Sequence, residues 1–224
     1  MTDACRTGIK NLLDSPRGLV VGLTGGIASG KSTVASMLAE MGAETVDFDK
    51  LAREVVRPGM PALSEIAEIF GNDVIAAGGE LDRKALGRVV FADPKKLRAL
   101  ESATHPRIFD LYLARVIDVY KDNRDAVVAA VIPLLVELGL SKLFHRVVLV
   151  YVPEPIQRER LLARDRISAA EADGIIASQM PMDEKLPYAD FVIHNDAGLD
   201  RTRLQVNALW SELRRSTRVS RTPI

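Results

Sequence analysis

The sequence predicts a three-layer α/β fold around a five-stranded parallel sheet, and three observations carry that prediction. Short, mostly apolar runs recur at 19–23, 44–47, 126–132, 147–152 and 191–194, each of strand length and suited to burial on both faces. Helical patterns separate them, the alternation that produces parallel strands joined by crossover helices. The first run passes through a glycine-rich turn directly into an amphipathic pattern.

Taken in order, the elements are well punctuated. After the first strand, Val34, Met37, Leu38 and Met41 fall at i, i+3, i+4 and i+7, and Gly42 stops that helix. The second strand leads into Asp47-Phe48-Asp49. Residues 58–122 read as a mostly helical insert. Within it Leu63, Ile66, Ala67 and Phe70 share a face closed by Gly71, and Asp82 caps a helix carrying Leu86, Val89 and Val90. Asp93-Pro94 opens a third helix, and His105-Pro106 is expected to begin a fourth. Between the last two strands lies an arginine-rich helical stretch, 154–185, in which Ser168 to Glu171 forms a capping box. A final helix covers about 200–213. The core is therefore read as 18–57, 123–153 and 186–213, interrupted by two inserts.

Composition narrows the setting. The chain has 224 residues, of which 47% are hydrophobic and 27% charged, enough for one α/β domain with inserts and a full core. Thirty basic and thirty acidic residues cancel, so global charge points to neither nucleic acid nor a membrane surface. The apolar run 126–136 is too short to span a bilayer and contains Pro133. Cys5 is the sole cysteine, which fits a reducing compartment, and the expectation is a soluble, cytoplasmic protein. Residues 1–17 lack an apolar run of signal-peptide length and read as a short, poorly ordered extension. The basic tail 214–224, with Arg214, Arg215, Arg218 and Arg221, reads as a frayed end.

Gly25, Gly26, Ile27, Ala28, Ser29, Gly30, Lys31 and Ser32 match G-x-x-x-x-G-K-[ST], after a buried strand and before an amphipathic helix. Glycines let the backbone curl so that successive N–H groups face one anion at the positive end of a helix. Lys31 adds a mobile charge for the terminal phosphates of ATP, and Ser32 offers a hydroxyl to magnesium. Such a loop alone does not separate a switch, a motor and a kinase. No Asn-Lys-x-Asp guanine-reading segment is present, and the 126–132 strand runs into Pro133-Leu134-Leu135 rather than an acidic residue. Small size, two inserts and clustered arginines suit a small-molecule kinase whose inserts close over its substrates.

The run from Gly22 through Thr33, followed by Asp47-Phe48-Asp49, resembles the opening of dephospho-coenzyme A kinases. Further pieces in the same order are Phe70-Gly71, Leu81-Asp82-Arg83, His105-Pro106, Pro133 to Leu135 with Glu137, Gln157 with Arg160 and Arg164, Gln179, Lys185, Ala189-Asp190 and Asn195. The resemblance runs from about Leu19 to Leu213. It implies ATP-dependent phosphorylation of the ribose 3′-hydroxyl of dephospho-coenzyme A, the last step of coenzyme A synthesis. It also implies a nucleotide-binding core, a helical acceptor-binding domain (58–122) and a lid (154–185). Three positions depart from the usual pattern: Ala28 for glycine, Phe48 for alanine and Val136 for phenylalanine.

Each candidate residue has a plainer rival role. Asp47 and Asp49 lie at a strand's C-terminal end, and an extended backbone would put both carboxylates on one side. The resemblance makes Asp49 the acceptor of the hydroxyl proton and leaves Asp47 to the substrate or magnesium-bound water; otherwise both cap the following helix. His105 at a helix start could face an anion, and Arg83 could pair with the acceptor's pyrophosphate, unless they are a packing residue and a solvated charge. Gln157, Arg160 and Arg164 share a helical face. The resemblance has Arg160 and Arg164 meet the transferring phosphoryl group; the alternative is solvated pairing with nearby acids. Asn195 could help hold adenine or simply close a turn. Glu137 and Lys185 have no role derivable from the residues. Two other functions stay open on the residues alone: another small kinase, acting on a nucleotide or hydroxyl compound, and a binding protein that uses ATP only as a switch.

Overall fold

A computed structural model describes residues 3–14, 18–90 and 93–219. They form α1 (Asp3–Leu13), β1 (Leu19–Thr24), α2 (Lys31–Glu40), β2 (Glu44–Asp47), α3 (Phe48–Glu54), α4 (Pro61–Phe70), α5 (Arg83–Val90) and α6 (Pro94–Asp122). These are followed by β3 (Val127–Val131), β4 (Arg146–Tyr151), α7 (Glu154–Asp165), α8 (Ala169–Ala177), α9 (Met182–Lys185), β5 (Phe191–His194) and α10 (Leu199–Val219). Two compact units result, one from Met1–Ile9 with Phe48–Ile117, the other from Lys10–Asp47 with Asp118–Ile224.

The second unit holds the sheet. Its order is β2-β3-β1-β4-β5 and every pair is parallel. The apolar runs become strands because both faces are covered: all six residues of β1 and all five of β3 are buried. One core joins Val21 and Leu23 of β1, Val34 and Leu38 of α2, Val148 and Val150 of β4, and Val206, Leu209 and Leu213 of α10. β1 is central, so the loop that leaves it emerges between β3 and β4, where α/β sheets hold ligands. In register, Asp47 sits beside Val131, which sits beside Leu23. Asp47 therefore stands on the same C-terminal edge as the end of β1.

His145, at the foot of β4, accepts the Val20 N–H at Nδ1 (2.9 Å) and donates from Nε2 to the Leu13 carbonyl (3.2 Å). Those roles require the neutral ring, and burial lowers its pKa from the ordinary 6.5. The unfolded chain therefore binds the proton more readily. This contribution to stability is present above pH 6.5 and lost as pH falls from there through the lower folded value. We expect His145→Gln to flatten the stability–pH profile in that window, measured by urea unfolding. Some slope should persist, because burial lowers His105 in the same direction.

The first unit is helical. Phe48 is buried against Phe109 (ring centroids 5.6 Å) and Tyr112 (5.1 Å). Asp82 Oδ1 accepts the N–H groups of Lys84 and Ala85, both at 2.9 Å, and so caps α5. This unit begins at Phe48 rather than at residue 58.

Three expectations are corrected. The N-terminal extension is helical over Asp3–Leu13, with Cys5 and Ile9, one turn apart, both buried. A Cβ on Gly8 would lie 2.4 Å from Leu113 Cδ2, so a glycine permits the close approach to α6. Second, His105-Pro106 starts no helix. α6 runs unbroken for 29 residues with Pro106 inside it. Ala103, Ile108 and Phe109 are buried on both sides of the proline, so packing carries the helix through it although the Ser102 carbonyl loses its backbone donor. Third, the basic tail stays helical to Val219, with Leu213 and Thr217 buried and Arg214 over the Trp210 ring at 5.9 Å. Arg221 lies outside the described residues. Among the described residues no helix is long and apolar enough to cross a membrane.

Candidate active site

The Gly25–Ser32 loop joins the end of β1 to the start of α2. Gly30 is the N-cap of α2 with φ 88° and ψ 28°, a left-handed conformation suited to glycine. A Cβ there would lie 2.2 Å from Asn195 Nδ2, so the position excludes larger residues on both counts. Ala28 also has positive φ, 58°, which explains why glycine is usual at that place in the resembled pattern. The helix leaves its first N–H groups without intrahelical acceptors, and these point where an anion would sit.

Lys31 Nζ donates to the carbonyls of Gly25 (2.9 Å) and Gly26 (2.8 Å), so its charge rests on the loop it would serve. Ser32 is exposed in the first turn of α2, with Thr33 half-buried beside it. Asp47 ends β2 and Asp49 is the second residue of α3. The extended spacing expected for the two aspartates does not hold, because burial of Phe48 turns the chain into a helix at once. Asp49 is exposed in that helix's first turn.

Asn195 is buried, and both ends of its amide are engaged by protein. Nδ2 donates to the Ser29 carbonyl (2.8 Å), and Oδ1 accepts from the Thr202 hydroxyl (2.8 Å). It braces the loop from below, which leaves little of it to read a base. Arg160 donates to the Asn195 carbonyl (2.8 Å) and so reaches the same brace. Arg164 does not join it. Its guanidinium makes two bonds to the adjacent Asp165, at 2.7 and 2.8 Å, and is exposed. Arg158 pairs with Asp173 at 2.6 Å, tying α7 to α8. In the helical unit, Arg83 is exposed at the first position of α5. His105 is half-buried in mid-α6, so a helix terminus no longer argues for an anion beside it.

The sequence singles out Gln157 and Gln179 without a role and does not single out Met182; all three lie against the loop from the 154–185 segment. Gln157 Nε2 donates to the Ile27 carbonyl (2.9 Å), Gln179 Oε1 accepts the Ile27 N–H (2.8 Å), and Met182 Sδ lies 3.1 Å from the Gly26 nitrogen. A cavity of about 390 Å³ opens beside them, lined among others by Tyr151, Ile176, Met180 and Asp183. Glu137 and Lys185, without a role in the sequence, form an ion pair at 2.6 Å with Lys185 fully buried. Glu137 Oε1 also accepts the Met180 N–H (3.3 Å), anchoring the segment that carries Gln179 and Met182.

Removing one partner of such a pair leaves a charge stranded. Glu137 keeps 19% side-chain exposure, so Lys185→Met should cost near the lower end of the range for broken buried pairs, about 3 kcal/mol. Adding Glu137→Gln should restore most of it, as read from urea unfolding of both variants.

A central parallel strand opening through this loop onto a helix that carries lysine and serine defines a P-loop kinase core. The dephospho-CoA kinase family profile matches residues 19–201. A Geobacter metallireducens dephospho-CoA kinase is 47% identical over 194 residues, covering 87% of this chain and 96% of its own. A crystal structure from Thermus thermophilus superposes with TM-score 0.76 at 34% identity, covering 88% of this chain and 98% of that one. The dephospho-CoA kinase of Campylobacter jejuni gives TM-score 0.58 at 28% identity, with 88% and 97% covered. The chain belongs to the dephospho-CoA kinase family.

Proposed function

We propose that this chain transfers the γ-phosphoryl group of ATP to the ribose 3′-hydroxyl of dephospho-coenzyme A, completing coenzyme A in the cytoplasm. The observation that carries the reading is the Gly25–Ser32 loop at the end of the central strand, with Lys31 lying on it, in a chain of this family. Lys31 would leave two neutral carbonyls for the phosphates, an exchange favoured because the new partners are charged. Asp49 would accept the proton of the attacking hydroxyl.

Magnesium fits the donors. Among the described residues no group of three His, Cys, Asp or Glu side chains could hold a metal. Magnesium takes one or two protein oxygens and fills its shell with water and substrate phosphates, and the exposed Ser32 hydroxyl at the start of α2 is a donor of that kind. Ser32 would bind it, with Asp47 orienting its water, and the ion would supply charge neutralisation on the phosphates.

Arg160 and Arg164 would meet the phosphoryl group. Arg164 must first release Asp165, and exposed pairs of that kind are worth only about 0–1 kcal/mol. Arg83 and His105 would bind the acceptor. The test is an acceptor panel at fixed ATP. Dephospho-coenzyme A should give a kcat/KM at least about 10³-fold above nucleosides and simple hydroxyl compounds, since remote binding energy is used to orient the reacting hydroxyl. Comparable values across the panel would make it a different small-molecule kinase.

A further inference from the structure

In the pattern G-x-x-x-x-G-K-[ST] the second and third positions are unrestricted, yet here both are tightly surrounded. Ile27 is held on both sides of its Cα by side-chain amides from the 154–185 segment: Gln157 of α7 donates to its carbonyl, in the Ile27–Ala28 peptide, and Gln179 beyond α8 accepts its N–H, in the Gly26–Ile27 peptide. Gln157 is only 4% exposed. A Cβ on Gly26 would lie 2.3 Å from Gln157 Nε2 and 2.9 Å from Met182 Sδ. A side chain at that position, which the phosphate pattern leaves open, would thus have to displace the Gln157 amide and the Met182 sulfur. The lid side of this clamp is itself anchored, through the Glu137–Lys185 pair and the Met180 N–H.

With one bond on each of the two successive peptide groups, neither can rotate about the Ile27 Cα without breaking a hydrogen bond. Rotation of the Ile27–Ala28 peptide would turn the Ala28 N–H with it, and convergence of successive N–H groups is what a phosphate loop requires. We infer that Gln157 and Gln179 are positioning residues that set the two peptide groups flanking Ile27, and through them the conformation in which the loop receives ATP. The inference rests on the nucleotide-loop reading above and adds to it a pair of residues that never touch the reacting atoms.

The two bonds have opposite polarity, which gives the test its control. Gln179→Glu keeps an acceptor for the Ile27 N–H. Gln157→Glu replaces a donor by an acceptor that faces the Ile27 carbonyl. Each adds the same charge beside the same residue, so general repulsion of the triphosphate is common to both, and their difference reads hydrogen-bond polarity. With the full chain and ATP as probe, Gln157→Glu should raise the Kd at least about tenfold more than Gln179→Glu does, the scale of a lost and reversed bond at a buried site. Gln157→Met and Gln179→Met, similar in length but without the polar group, should each raise the Kd for ATP several-fold, roughly as expected for one hydrogen bond. They also keep the test open should Gln157→Glu not fold. Equal Kd values for the two glutamate variants would overturn the proposal. So would methionine variants with a lowered melting temperature but wild-type Kd, which would make the amides merely structural. Lys31→Ala separates the two readings: if it weakens ATP binding while the glutamine variants do not, the clamp alone fails. If it too binds ATP normally, the loop reading fails and the clamp with it.

Discussion

Asp49→Asn should lower kcat by about 10²-fold or more, the range for loss of a general base, while the chain stays folded. The substitution keeps shape and removes the negative charge together with proton acceptance. The competing role for Asp49 is electrostatic: it lies in the first turn of α3, where an acid favours the helix dipole. That role is worth about 0.3–1 kcal/mol and would show as a small fall in melting temperature with turnover intact. The two outcomes separate on rate, because loss of proton acceptance lowers kcat about 10²-fold whereas the dipole role alone leaves turnover intact. Measurement of kcat at saturating ATP and dephospho-coenzyme A, beside a melting curve, decides between them.

Lys31→Ala should weaken ATP binding and turnover together, since the ammonium meets charge present in both the ground and transition states. By comparison with loss of one preorganised donor at a transferring group, kcat should fall about 10²–10³-fold. Stability should change as well. The Gly25 and Gly26 residues that now accept from Lys31 are buried. Leaving their carbonyls with fewer partners should cost about 1 kcal/mol, or roughly 2–4 °C for a chain of this size. Normal turnover at ordinary ATP concentrations would contradict the loop's role outright.

What could be read from the sequence follows from the range of the interactions. The strands were legible because each is a local apolar run buried on both faces, and β1 through β5 fall within one or two residues of the expected spans. The loop was legible because its pattern spells out the contacts it makes. The Ser168 capping box was legible for the same reason: its hydroxyl accepts the Glu171 N–H at 3.2 Å, and Glu171 Oε2 accepts the Ser168 N–H at 2.9 Å. The failures have other causes. Pro106 carries a helix-start signal, but burial of Ala103, Ile108 and Phe109 along one helix outweighs it. α1 escaped notice because, among its described side chains, the buried stripe is Cys5 and Ile9, with Gly8 as the contact residue. Gln157 and Gln179 left no local signature, since their bonds to Ile27 span 130 and 152 residues. The shared face of Gln157, Arg160 and Arg164 was correct as helical geometry, yet the three side chains end on Ile27, Asn195 and Asp165.

The most direct measurement of the central claim is the product itself. The chain is incubated with magnesium ATP and dephospho-coenzyme A, and the product is weighed and its phosphorus resonances assigned. The account predicts ADP together with a single new species heavier than dephospho-coenzyme A by one phosphoryl group, carried as a monoester on the ribose 3′-oxygen. ADP formed without any change in dephospho-coenzyme A, or a phosphoryl group placed elsewhere on it, would contradict the account.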